Sequence, residues 1–194
     1  MTVLTDIFKS TLPPPTRKSE RWKYSPIAKL LNSTLSIDSS EIDSGFSNDI
    51  APNPVAGLEA YRLVFRNGTF DSSLSDLPVA KGVICMPLSE VSAEDAPEFK
   101  NTYSKTEWVG ELNESYHQDG MFLKIARNIK LDRPVLIHHL TDGKDVASFP
   151  RHFVRVEEGG EVDVVVWSSA SKNSSGMYNG ILEASIAPNA TLML

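Results

Sequence analysis

Three stretches of the chain carry one short pattern: Ile125-x-x-x-Ile129-x-Leu131, Val156-x-x-x-Gly160-x-Val162 and Ile186-x-x-x-Ala190-x-Leu192. Each sets an apolar residue before a small turn and ends in an apolar position two further on. The copies begin 31 and 30 residues apart. Recurrence at a fixed period constrains a fold strongly, because each coil of such a chain hides its apolar face only by stacking on its neighbour. The flanking residues alternate with period two, as in Val162-x-Val164-x-Val166 and Phe153-x-Arg155, so the repeating units are strands. A coil of stacked strands is the expectation for the second half, with a valine-rich β-sandwich as the alternative. Stacked coils present surfaces to partners and rarely gather chemistry into one pocket.

With 194 residues the chain can bury an ordinary core without a disulfide or a metal. Its 41% hydrophobic and 23% charged content is that of a globular protein, and no apolar run is as long as a membrane span. Met1 to Leu12 lacks the basic start and apolar centre of a secretion signal, and the lone Cys85 excludes an internal disulfide framework. The cytosol is therefore the expected compartment, and five Asn-x-Ser/Thr triplets, at Asn32, Asn67, Asn113, Asn173 and Asn189, are read as inert. A net charge of -6 disfavours a nucleic-acid binder. The charge is uneven, however: Arg17, Lys18, Arg21, Lys23 and Lys29 face only Glu20 between Pro13 and Leu31.

Along the chain, Val3-Leu4-x-x-Ile7-Phe8 fits a short amphipathic helix closed by Pro13-Pro14-Pro15, and Ser25-Pro26 opens another turn of helix. Residues 32–57 read as a long polar loop. Tyr61 to Phe65 reads as a strand, Asn67-Gly68 as a hairpin turn, and Gly82 to Met86 as a second strand holding Cys85 as a packed apolar residue. Phe99, Tyr103, Trp108, Leu112 and Tyr116 form an aromatic helical stripe that should be core, with Gly120 closing the helix and Met121 beginning the strand-rich half.

The sharpest enzymatic alternative is a cupin-like metal-dependent β-barrel. His138 and His139 are adjacent on a strand and point to opposite faces, so only one of them could join His152 and Glu157 around an ion. Glu157, Glu158, Glu161 and Asp163 suggest a carboxylate pair, but no aromatic cleft accompanies them, and a solvated charged rim is expected instead. No nucleophile elbow and no phosphate-binding glycine loop is present. The chain is expected not to be an enzyme.

The segment Pro15-Thr-Arg-Lys-Ser-Glu-Arg-Trp-Lys-Tyr-Ser-Pro26 resembles the Pro-Thr-Arg-Lys-x-Glu-x-Trp-Lys-Tyr-Thr-Pro start of the SufD branch of the SufB/SufD family. Four further stretches resemble it in order: Gly82 to Glu90, Leu112-Asn113-x-x-Tyr116-x-x-Asp119-Gly120, Arg151-His152 leading to Gly160, and Tyr178-Asn179-x-x-x-Glu183. The resemblance implies an α+β chain, with a helical or mixed region over 1–120 followed by a right-handed parallel β-helix from 121, truncated at 194. It implies a non-catalytic scaffold of SUF iron–sulfur cluster assembly, acting with SufB and the ATPase SufC. The cluster and ATP would belong to the assembled complex, with no cofactor, metal ligand, nucleic acid or membrane assigned to this chain. A carbohydrate-binding β-solenoid is a third possibility.

Two surface expectations complete the picture. Trp22 and Tyr24 should anchor the segment after the prolines, with Arg17, Lys18 and Lys23 forming an exposed surface for a partner. Ile186, Ala190, Leu192 and Leu194 should form a terminal rung with open strand edges, through which two copies would meet.

Overall fold

The computed structural model describes residues 2–3, 11–25, 33–36, 55–94 and 107–194. The first strands are β1 (Thr2–Val3), β2 (Thr34–Leu35), β3 (Tyr61–Arg66), β4 (Thr69–Phe70) and β5 (Val83–Pro87). The helix α1 (Trp108–Tyr116) follows. Then come β6 (Met121–Ile125), β7 (Val135–Thr141), β8 (Val146–Ser148), β9 (Arg151–Val156), β10 (Glu161–Ala170), β11 (Gly176–Tyr178), β12 (Ile181–Ile186) and β13 (Thr191–Met193). The architecture is a set of mixed β-sheets with one helix among the described residues, and no sheet closes into a barrel.

From β6 onward the pairing is parallel with a nearly constant shift. Leu123 pairs with Val154, Leu182 with His152, Ile137 with Val166, Leu192 with Val162 and Met177 with Ala147. The repeat in the sequence is this register. Ile125 pairs with Val156, and Val156 with Ile186, so the first residue of all three copies forms one column. The turns repeat as well. Ile129, Gly160 and Ala190 donate to the carbonyls of Ala126, Glu157 and Ala187 at 3.2, 2.9 and 3.2 Å. Asn128, Gly159 and Asn189 occupy the left-handed region at φ 56°, 67° and 59°, the conformation that glycine and asparagine tolerate best. Asn67 and Asn173 also adopt it, which gives three of the Asn-x-Ser/Thr triplets a turn-forming role.

One core lies inside the coil, between the sheet of β5, β6, β9 and β12 and the sheet of β3, β7, β10 and β13. Leu63, Phe65, Leu123, Ile125, Ile137, Val154 and Val164 meet there. A second core lies outside, where Trp108 and Leu112 of α1 cover Leu35, Ala147, Phe149 and Met177. Burying Leu112 completely is worth about 1.5–3 kcal/mol, more than a nine-residue helix gains from its own propensity.

The two ends of the stack differ. At the first end, β4 pairs antiparallel with β3 and β5 antiparallel with β6, so both leading edges are covered. At the other end, β11, β12 and β13 each pair on one side only among the described residues.

Several expectations are corrected. Val3 is in a strand paired with Thr34, not in a helix; the rest of that proposed helix, and the turn of helix after Pro26, lie outside the described residues. The segment 32–57 is not loop throughout, because Thr34–Leu35 is a strand with Leu35 buried. Asn67-Gly68 does make the hairpin, at φ 52° and 87°, and Cys85 is packed in β5, with burial pushing its thiol up to about 12. Gly120 does not cap α1. The helix ends at His117 in a β-like conformation, whereas a Cβ on Gly120 would lie 1.4 Å from the Arg151 carbonyl oxygen. Close approach of two chains, not a left-handed cap, requires that glycine. Phe99 and Tyr103 lie outside the described residues, and Trp108 and Leu112 are core as expected.

Candidate functional site

Residues from the four later stretches that carried the family resemblance, scattered over the sequence, meet at one corner of the coil. Asn113, in the second turn of α1, is fully buried and donates through its amide to the carbonyls of Pro150 and Asn179, at 3.2 and 2.6 Å. Those carbonyls belong to successive coils, so one side chain ties the helix to both. Asn179 donates back to the Val109 carbonyl at 2.8 Å. Asp119 accepts from the backbone and hydroxyl of Ser89, both at 3.2 Å, and from Gly120 N–H at 2.8 Å. Arg151, 4% exposed, reaches Glu183 of the next coil at 3.3 Å.

Behind this corner, inside the coil, His139 and His152 face each other with 3.1 Å between their Nε2 atoms. Nδ1 of His152 accepts from Met121 N–H at 2.9 Å, so its proton sits on Nε2 and is donated to His139. His139 then carries its own proton on Nδ1, a buried atom with no protein partner. The ring of Tyr178 lies 4.5 Å from that of His139, and Phe65 stacks on His139 at 5.7 Å. Burial, and for His139 also the neighbouring imidazoles, pushes His139 down to about 2 and His152 down to about 3, so both are neutral at physiological pH. Burial pushes the Tyr178 phenol up to about 12. A side chain at position 180 would strike that phenol, since a Cβ on Gly180 would lie 2.1 Å from its oxygen.

His138 points the other way, with Nε2 2.7 Å from the Ser169 hydroxyl; burial first, then the Arg62 charge, lowers its pKa. Of the alternative metal set, His139 and His152 do converge, but Glu157 is in the turn after β9 and its N–H caps the Ile125 carbonyl. The proton on His152 Nε2 also occupies the lone pair that a bridging ion would need. Among the described residues, no three histidine, cysteine or acidic side chains gather as a metal-binding group. Parallel pairing likewise replaces the closed barrel of the cupin alternative. The carboxylate series is a rim of ion pairs: Glu158 holds Arg127 at 3.1 Å and Glu161 holds Lys130 at 2.8 Å.

The motif-bearing segment Pro15 to Ser25 lies along the start of α1. Pro15 is buried, Trp22 packs against the second core, and Arg21 pairs with Glu107 at 2.5 Å. Thr11 is held by Glu111 through its N–H and hydroxyl, at 2.8 and 2.9 Å. Tyr24 does not anchor: it is 89% exposed. Glu20–Trp22 form a 3-10 turn that ends at Trp22, and Tyr24 lies beyond its cap at Lys23. Arg17, Lys18 and Lys23 are all exposed.

At the open end, Ile186 is 52% and Leu194 74% exposed, whereas Leu192 and Ala190 are half-buried against the inner core. Val166, Trp167, Tyr178 and Met193 are also exposed there. Sequence reasoning missed the corner itself. Its only signal was that Asn113 and Asp119, Arg151, and Asn179 and Glu183 belonged to three motif stretches that resembled one family.

Residues 5–137 match the family model described as the SufBD protein N-terminal region. Over 182 residues the chain is 28% identical to the iron-sulfur cluster assembly protein SufD of Escherichia coli (strain K12), a match covering 92% of this chain and 41% of that protein. The chain thus spans about two-fifths of the length of this curated relative. The family match includes Ser89, Asn113, Asp119 and Gly120, the helix-side half of the corner. By this match the chain belongs to the SufB/SufD family, on its SufD-like side.

Proposed function

We propose that the chain is a non-catalytic scaffold subunit of SUF-type iron–sulfur cluster assembly, acting in the cytoplasm with SufB and the ATPase SufC. The single observation that carries this is the family match, joined to a SufD relative aligned along nearly the whole chain. The structure supports a scaffold role because the motif residues are spent on holding coils and helix together: Asn113, Asp119 and Arg151 are buried and bonded to other protein groups. The cluster is cargo of the complex and is assigned no ligand here.

The stacked strands are the start of a right-handed parallel β-helix in this reading. Its hand follows from the strong preference of parallel crossovers for the right-handed form. Residues 1–120 are the helical and mixed region of that reading, and β4 and β5 within it cover the first end. The open strand edges of β11, β12 and β13 are where further coils would stack, or where two copies of this chain would meet through Ile186, Leu192 and Leu194.

Deletion of the gene tests the function. Iron–sulfur enzyme activities should fall under iron limitation or oxidative stress, and return with the wild-type gene. Unchanged activities, in a strain with no second assembly system, would overturn the assignment.

A further inference from the structure

The segment 11–25 carries a cationic surface that the fold does not use. Arg17, Lys18 and Lys23 are exposed and join no salt bridge among the described residues, in contrast to Arg21, which Glu107 holds. The same segment walls a groove of about 230 Å³, lined by Leu12, Pro13, Pro15, Trp22 and Trp108 together with the ion-paired Arg21 and Glu107. Tyr24 stands almost free of the protein, with Lys23 Nζ 5.4 Å from its ring centre. Two carboxylates line the groove, Glu20 and Glu107, and Arg21 neutralises the second.

We propose that this surface docks an acidic peptide segment of a partner protein, one that sets carboxylates around a single apolar side chain. The apolar residue enters the groove against Trp22 and Trp108, and the carboxylates meet Arg17, Lys18 and Lys23. Tyr24 supplies a flat face for the backbone or a further side chain. The charges fit a short acidic ligand better than a polyanion. Net charge over the whole chain is -6, and a long nucleic acid or an anionic membrane would meet that repulsion. A peptide confined to the segment feels the local cations, since screening limits interactions to about 10 Å at 0.1 M salt. The docking is independent of the assembly role proposed above and could fail while that role holds.

Fluorescence anisotropy tests it, using a fluorescein-labelled peptide of glutamates flanking one leucine, titrated with the protein. Saturable binding is expected, weakened about tenfold or more when Arg17→Glu, Lys18→Glu and Lys23→Glu are combined, the summed effect of three exposed ion pairs. The same peptide with glutamine for glutamate, or alanine for leucine, should also bind more weakly. Tyr24→Ala, which removes an 89% exposed ring near Lys23, provides a second variant and should weaken binding without moving the melting temperature. No binding, or binding indifferent to charge reversal, would overturn the proposal. Equal binding of phosphatidylserine vesicles or single-stranded RNA would overturn it too, by showing only general attraction for polyanions.

Discussion

Asn113 and Asn179 form a reciprocal clasp: the Asn113 amide donates to the Asn179 carbonyl at 2.6 Å, and the Asn179 amide returns a bond to α1 at the Val109 carbonyl, at 2.8 Å. Asn113→Ala removes the donor for two carbonyls, at Pro150 and Asn179, and leaves a small cavity. A loss of about 2–4 kcal/mol in urea unfolding is expected, from two broken bonds to buried groups. Asn113→Asp should cost more, because a carboxylate cannot donate to either carbonyl. An aspartate variant as stable as the native chain would show that the clasp is not formed.

Gly120 and Gly57 make a matched pair for backbone substitution. Alanine at 120 would collide with the Arg151 carbonyl, so the variant should fold poorly or lose several kcal/mol. Alanine at 57 meets nothing within 4 Å and suffers only the strain of φ +78°, about 1–2 kcal/mol. Thermal melts of both proteins check the order, which should not reverse.

The paired histidines give the fold an acid sensitivity. His139 and His152 sit near 2 and 3 when folded against about 6.5 when unfolded. Below pH 6.5 the unfolded chain therefore binds more protons, and unfolding free energy falls with pH until about pH 3. Each group contributes a slope of about 1.4 kcal/mol per pH unit over that window, and none above it. His139→Phe keeps a ring beside Phe65 and Tyr178 but cannot titrate. Its stability should be lower at pH 7.5, because His152 loses an acceptor, yet should decline less steeply between pH 6 and pH 4. An unchanged slope would mean that the histidine is not buried neutral.

The open end should self-associate. Its exposed Ile186 and Leu194, beside strand edges that are unpaired among the described residues, favour burial at about 25 cal/mol per Å² of apolar surface. Light scattering at micromolar concentration should give a dimer, reduced to monomer by Ile186→Lys or Leu194→Lys. A dimer indifferent to both changes, or a native monomer, would contradict this contact.

The sequence made the stack legible because register and repeat are the same quantity. The column of Ile125, Val156 and Ile186 needs identical spacing in every coil, and the left-handed turn selects asparagine or glycine each time. Asn67-Gly68 was legible for the same local reason. The corner was not, since Asn113 owes its role to carbonyls 37 and 66 residues away, and a carbonyl leaves no mark on side-chain identity. Tyr24 and Gly120 were misread because local signals were given the wrong geometry: Tyr24 lies past the end of the 3-10 turn that holds Trp22, and a crossing chain requires Gly120.

Reconstitution tests the central claim most directly. The protein, mixed with purified SufB and SufC from the same source, should elute as one complex on size exclusion with all three proteins present. That complex should accept an iron–sulfur cluster, visible by its absorbance, that passes to an apoprotein. Separate elution of the three proteins, with cluster formation on SufB and SufC unaffected by the omission of this subunit, would contradict the account.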